Sequence, residues 1–184
     1  MPRGLKNDWG MTPYDLLRKG SHMAELKLVR LDYRLIHGQV VTQWTRVSEA
    51  NRIVIANDEL AADSFMADIY RMAAPRGVRV DVFAVEDACA AWRENTFGEG
   101  NVLMLFKSAQ DALCAKQGGL AFDDLQVGGC GGGKDTFPAC GIAFRRADID
   151  ALKEIEAMGT RVHVQVVPTS VDYPLSQVIE KLNF

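Results

Sequence analysis

An apolar run, Leu26 to Leu31, stops at Asp32, and an acid, a guanidinium and an imidazole follow within a few positions: Asp32, Arg34 and His37. A helix-period run comes next, with Val40, Val41, Trp44 and Val47 on one face and an end near Ser48. A buried strand that enters a helix through a short charged loop restricts the topology. The chain must cross back over the sheet, which makes the next strand parallel. Where such a loop opens into a helix, free backbone N–H groups and the helix dipole favour an anion, phosphate above all. Arg34 adds a planar cation suited to phosphate oxygens. His37 is a nucleophile that can carry a phosphoryl group on nitrogen. Asp32 is placed to fix the imidazole tautomer and support its positive charge, or to cap the turn. Gly38 and Gln39 supply N–H groups where the helix begins, and Gly38 lets backbone approach an anion closely.

The same alternation runs through the rest of the chain. Arg52 to Ala56 is a short β-branched run, a second buried strand ending in the polar turn Asn57-Asp58-Glu59. Ala61 to Ala74 is rich in helix formers, with Phe65, Ile69 and Met72 on one face, and Pro75-Arg76-Gly77 stops it. Val78 to Phe83 alternates as a strand, Val85 to Trp92 reads as a helix, and Asn101 to Phe106 is the most apolar strand and takes a central place. Ser108 is the N-cap of a helix to Gln117, ended by Gly118-Gly119. Leu125 to Val127 is a short strand entering a glycine-rich turn. Ala139 to Phe144 is a short extended piece, Asp148 to Met158 a helix, Arg161 to Val167 a strand and Leu175 to Leu182 a last helix. The expected fold is α/β: an open twisted, mostly parallel sheet with helices on both faces, in a single domain. Ligands of such sheets sit beyond the C-terminal strand ends at a topological switch. The His37 loop, Asn57-Asp58 and the glycine-rich turn belong on that edge.

Composition narrows the function. The chain of 184 residues has 48% hydrophobic residues, enough for one sizeable core. A net charge of -3 gives no electrostatic reason to expect nucleic acid. No apolar run approaches the ~20 residues a bilayer crossing needs. The cysteines Cys89, Cys114, Cys130 and Cys140 form no Cys-x-x-Cys pair, so free thiols are expected and no zinc site. Residues 1–22 carry little periodicity, and Gly20-Ser21-His22-Met23 reads as a cloning scar. The domain is therefore expected over 23–184, with His37 and His163 as its histidines.

Arg30-Leu31-Asp32-Tyr33-Arg34-Leu35-Ile36-His37-Gly38-Gln39-Val40 resembles the active-site signature of the enzyme IIB component of the mannose/sorbose-type sugar phosphotransferase system. The resemblance continues through Ile53 to Glu59, Ala73 to Val78, Val102 to Phe106 and Val127 to Gly129, so it is domain-wide. It implies a cytoplasmic phosphohistidine–sugar phosphotransferase, associated at the membrane with its permease and needing no metal or other cofactor. His37 would accept phosphate from a phosphohistidine of IIA, usually on Nδ1 in this family. It would pass the group to a sugar imported through membrane IIC/IID partners.

Asp58 is either an ordinary acidic helix start or a supporting contact at the active edge. Trp44 fits core packing. Gly128-Gly129-Cys130-Gly131-Gly132-Gly133-Lys134 satisfies the start of a P-loop, but Asp135 stands where Ser or Thr should hold magnesium, and Phe137-Pro138 discourages the required helix. The segment fits better as a loop flanking the His37 pocket, with Gly128 and Gly129 contributing to a phosphate nest. It has Cys130 where the family usually has Met. Cysteine nucleophiles of other IIB classes directly follow the first strand, which Cys130 does not. His163, alternating with Val162 and Val164, is expected to face solvent or a helix without a role. Two alternatives remain from residues alone: a regulatory phosphohistidine module, and a non-covalent anion- or nucleotide-binding domain.

Overall fold

A computed structural model describes residues 23–38 and 40–182. The segment 1–22 and Gln39, both subjects of expectations above, lie outside the described residues. The central strand is β1 (Ala24–Asp32). It is followed by β2 (Arg52–Ala56), β3 (Arg79–Phe83), β4 (Gly100–Phe106), β5 (Asp124–Gly129), β6 (Phe137–Ala139), β7 (Ile142–Phe144), β8 (Arg161–Val164) and β9 (Tyr173–Pro174). Seven of these form one sheet in the order β3-β2-β4-β1-β5-β8-β9. All its pairings are parallel except β8 with β9. The mostly parallel α/β sheet expected from the alternation is what forms.

Consecutive residues of a strand point to opposite faces, and both faces here are apolar. Met104 and Phe106 join Val29, Leu31, Val54 and Ala56 in one layer. Leu103 and Leu105 join Ile53, Ile55, Val40 and Trp44 in the other. The second layer is covered by a helical segment after β1 and by α2 (Asp58–Ala62) and α3 (Ser64–Met72). That first segment is a π-helical turn, Val40–Trp44, running into the short α1, Thr45–Val47. The first layer is covered by α4 (Val85–Arg93), α5 (Ala109–Gln117), α6 (Arg146–Ala157) and α7 (Leu175–Lys181). Ser108 caps α5 as expected: its hydroxyl accepts from Asp111 N–H, and the Asp111 carboxylate accepts from Ser108 N–H.

Four expectations need correction. The helix after His37 ends where expected but is wound wider than its sequence period suggests. Its π-turn shifts the register, so Val40 and Trp44 are buried while Val47 is exposed. The single helix expected over Ala61 to Ala74 is two helices, because Asp63 is extended and its carboxylate caps α3 by accepting from Met66 N–H. This break turns the apolar stripe outward, leaving Phe65 73% and Met72 78% exposed and Ala67 facing the core. The extended piece near Ala139 to Phe144 is one half of a hairpin, β6–β7, turned at Cys140-Gly141, where both residues have positive φ. The last parallel strand ends at Val164, short of Pro168.

His163 departs from expectation as well. Its side chain is buried, not directed to solvent, and both ring nitrogens meet carboxylates: Nδ1 faces Asp172 Oδ1, and Nε2 lies 2.9 Å from Asp124 Oδ1. Arg161 bridges the same two acids at 2.9 and 2.7 Å. Burial pulls the imidazole toward neutrality, but the hydrogen bonds and charges of Asp124 and Asp172 outweigh it and raise its pKa. The two carboxylates lie below their usual range, hydrogen bonding to His163 overcoming partial desolvation. A raised folded pKa contributes stability that is present below the unfolded value of about 6.5 and lost as pH rises through the folded value. The acids contribute in the opposite sense, losing their share as pH falls through their lowered folded values. The urea-midpoint gap between wild type and His163→Gln is therefore expected to be widest near pH 6 and to narrow toward pH 9. A gap that stays constant over that range contradicts an imidazolium in the cluster.

Candidate functional site

Chain order places the site. From β1 the chain leaves toward β2, on one side of the sheet, and from β5 it leaves toward β8, on the other. The two neighbouring strands therefore diverge at their C-terminal ends, and a crevice opens there. Asp32 is the last residue of β1 and pairs with Gly129 at the end of β5. Tyr33 N–H donates to Gly129 O at 3.0 Å. The loop that follows is tight: Leu35 N–H donates to Asp32 O at 2.9 Å, and Leu35 has φ +53°, a left-handed conformation unusual for a side chain of its size.

Asp32 organises the charged groups. Its side chain is fully buried and accepts from Arg30 Nη2 at 3.0 Å on Oδ2. Its Oδ1 accepts from Arg34 Nε at 3.2 Å and from Arg34 backbone N–H at 3.3 Å. Arg34 Nη2 reaches Oδ2 at 3.4 Å. The Arg34 side chain is 40% exposed, so its other donors face the crevice mouth. His37 is held on its other side: Nδ1 lies 3.0 Å from Leu35 O, which can only accept, so Nδ1 carries a proton there. His37 Nε2 is buried without a hydrogen bond, 3.8 Å from Asp32 Oδ2. Asp32 thus touches Arg34 by hydrogen bonds and His37 by charge alone.

Arg30 stands first in the signature motif, yet nothing in its apolar strand marks it as part of the site. It is fully buried and bonds to Gln126, to Gln165 O at 3.0 Å and to Val166 O at 3.1 Å, besides Asp32. The guanidinium carbon lies 4.7 Å from the centre of the Trp44 ring. The available signal was register: Arg30 and Asp32, two apart on a strand, share a face.

The remaining candidates divide. Gly38 is exposed and has open space where a side chain would stand. Gly128 is a clearance residue: a Cβ there would stand 1.7 Å from Arg30 Nη2. At Gly129 it would meet the Tyr33 ring at 3.2 Å. Asp58 lies on the same edge, but its carboxylate accepts from Val85 N–H at 2.8 Å and fastens the start of α4. Trp44 packs in the core, as expected. No helix follows the glycine-rich segment, which leads into β6, so the P-loop geometry is absent. Cys130 is buried, and desolvation, with Asp148 adding its charge, pushes its thiol far above the usual range. That is an inert thiol.

Two shallow hollows flank the loop. One, of about 420 Å³, lies between Tyr33, Asn57, Asp58, Lys107 and Arg145. The other, of about 280 Å³, lies between Tyr33, Arg34, the Gly128–Gly132 stretch and Val166. Tyr33, 46% exposed, divides them. Among the described residues no group of His, Cys, Asp and Glu is arranged to hold a metal ion.

The family model described as "PTS system sorbose subfamily IIB component" matches residues 26–184. The sorbose-specific EIIB component of Klebsiella pneumoniae is 32% identical over 162 residues, covering 86% of this chain and 96% of that protein. The mannose-specific EIIAB component of Escherichia coli K12 is 31% identical over 174 residues, covering 94% of this chain and 53% of that longer protein. The crystal structure of manxB from Thermoanaerobacter tengcongensis superposes with a TM-score of 0.79 at 37% identity, covering 88% of this chain and 98% of that one.

Clearance for the Arg30 guanidinium gives a direct test. Gly128→Ala is expected to destabilise the fold by about 1–3 kcal/mol, read from the urea midpoint. Gly132→Ala, where a Cβ meets open space, is expected to leave the midpoint nearly unchanged. Equal effects at the two positions contradict the clearance role.

Proposed function

This chain belongs to the sorbose-subfamily IIB components of the sugar phosphotransferase system, and we propose that His37 is the residue on which it carries the phosphoryl group. Membership makes it a phosphotransfer component, working between a phosphohistidine donor and a sugar. One observation carries the assignment of residues. His37 stands at the crevice between β1 and β5, beside a guanidinium that a buried carboxylate holds with donors to spare.

The transfer is an exchange between two imidazoles. A lone pair on a neutral His37 nitrogen attacks phosphorus. The bond from phosphorus to the donor's nitrogen breaks, and the donor ring, protonated on its other nitrogen, leaves as neutral imidazole, while phospho-His37 keeps the proton of its own second nitrogen. No proton need be lost or gained overall. Acceptance on Nδ1, usual for the family that the motif resembles, has two requirements here. The ring must come off Leu35 O, and its proton must sit on Nε2, where the Asp32 carboxylate at 3.8 Å favours it. Arg34 then turns its outward N–H groups to the phosphoryl oxygens, with the amide of Gly38 beside it and the Gly128-Gly129 strand end as the opposite wall. Asp58 supports this edge through α4, not through the reacting atoms.

The donor is a IIA protein or domain, and the acceptor is sugar in a IIC/IID permease at the cytoplasmic membrane face. The EIIAB name of the Escherichia coli relative fits IIA and IIB activities that work together. Surface shape also supports protein partners. Tyr33 and Arg34 of the loop that carries His37 line shallow hollows, and Phe65, Met66, Ile69 and Met72 of α3 are exposed. Leu35 of the loop and Met66 and Tyr70 of α3 line a common groove. Apolar surface of this kind marks an interaction site.

The test is transfer of phosphate from phosphoenolpyruvate through enzyme I, HPr and a IIA protein, read by intact mass. Wild type is expected to gain one acid-labile, base-stable phosphoryl group, and His37→Ala none, with its fold intact. Label on His37→Ala removes His37 from the role. Arg34→Ala is expected to slow acceptance on the order of a hundredfold while changing stability by less than about 1 kcal/mol. An unaltered rate removes Arg34 from the mechanism.

A further inference from the structure

Arg34 has two claims on it in this reading: it is bonded to Asp32 at rest, and it must turn to the phosphoryl oxygens. If Arg34 were the only cation on Asp32, leaving it would strand a fully buried carboxylate, a costly arrangement. We propose that Arg30 is a positioning residue for phosphoryl transfer: it is the permanent counter-ion of Asp32, and it leaves Arg34 free to exchange between Asp32 and the phosphoryl group. The inference rests on the role of His37 given above and adds a regulation of the same site.

The surroundings of Arg30 suit a cation that does not move. Its guanidinium donates to the side chain of Gln126, to two backbone carbonyls beyond β8 and to Asp32, and one face rests on Trp44. Gln126 is itself tied by donating to Gln165 Oε1 at 3.0 Å, and Gln165 N–H groups reach Ser170 O at 3.2 Å. Arg34 bonds to Asp32 alone, lies 5.6 Å from the centre of the exposed Tyr33 ring and is itself part exposed. One carboxylate thus has a fixed cation and an exchangeable one. With one acid and two guanidinium groups, the cluster keeps a net positive charge toward an incoming anion while His37 stays neutral. The fixed cation also offsets the field of Asp32 at His37 Nε2, 3.8 Å away.

Arg30→Met tests this, because Met fills similar space without charge. Without the fixed cation, Arg34 is locked on Asp32, and the carboxylate, left with one partner cation in place of two, is felt more strongly at His37 Nε2. The expected outcome is an upward shift of about one unit in the His37 titration, followed by NMR, and acceptance slowed at least about tenfold. Arg30→Met/Asp32→Asn removes the stranded charge and is expected to return the His37 titration toward wild type. A merely structural Arg30 predicts a lower urea midpoint with an unshifted His37 titration in the folded protein, and that result overturns the proposal. If Arg30→Met does not fold, Gln126→Met decides, since Gln126 touches Arg30 but none of Asp32, Arg34 and His37. It is expected to move titration and rate in the same directions by less, and no movement in either overturns the proposal. Wild-type uptake of label is the separate control. Its failure counts against the phosphoryl reading, whereas normal uptake by wild type and Arg30→Met alike counts against Arg30.

Discussion

The buried carboxylate of Asp32 is the interaction on which the site and its setting depend. A charge removed from water is tolerated only when it is paired and hydrogen-bonded. Here that requirement reaches far along the chain. Arg30 must be buried beside Asp32. Gln126 on β5 and the carbonyls after β8 must satisfy Arg30. Gly128 must have no side chain, and Trp44 must lie flat under the guanidinium. One acid at the end of one strand therefore constrains residues on β5, on the segment after β8 and on the first helical turn.

The same pairing changes how an anion would be held. The motif suggested a regular helix opening at His37 and ending near Ser48, with its dipole aimed at the ligand. The π-turn Val40–Trp44 and the three-residue α1 supply few aligned peptides, so that contribution is small. The positive character of the crevice comes instead from two guanidinium groups against one carboxylate. This is a sturdier arrangement: the π-turn can accommodate the loop while Arg30 and Asp32 stay fixed in the sheet.

Much of the fold was legible because parallel strands buried on both faces read as unbroken apolar runs. Ile53 to Ala56 and Val102 to Phe106 could hardly be anything else. Ser108 and the glycines at 118–119 marked the ends of α5 by local chemistry. What was missed depends on distant partners. Asp124 is 39 positions from His163, and Gln126 is 96 from Arg30. A period argument assigns such residues a face but cannot say what waits there. Asp63 is a different failure. Its capping role is local, yet it sits inside a run of good helix formers whose stripe suggested one continuous helix.

The site divides along the same line. Asp32, Arg34 and His37 are neighbours in sequence, and a tight loop after a strand brings them together by itself. Their different tasks are set by residues that share no local pattern with them. Leu35, strained at φ +53°, presents its carbonyl to His37 Nδ1, so the strain is spent on restraining the imidazole. Arg30 supports Asp32 from inside the sheet. A loop with the same three side chains over an uncharged strand would have Arg34 bound to Asp32 as its sole partner and unavailable to a ligand. In the proposed mechanism, the capacity to release and recapture one cation is therefore a property of the buried strand position as much as of the exposed residue.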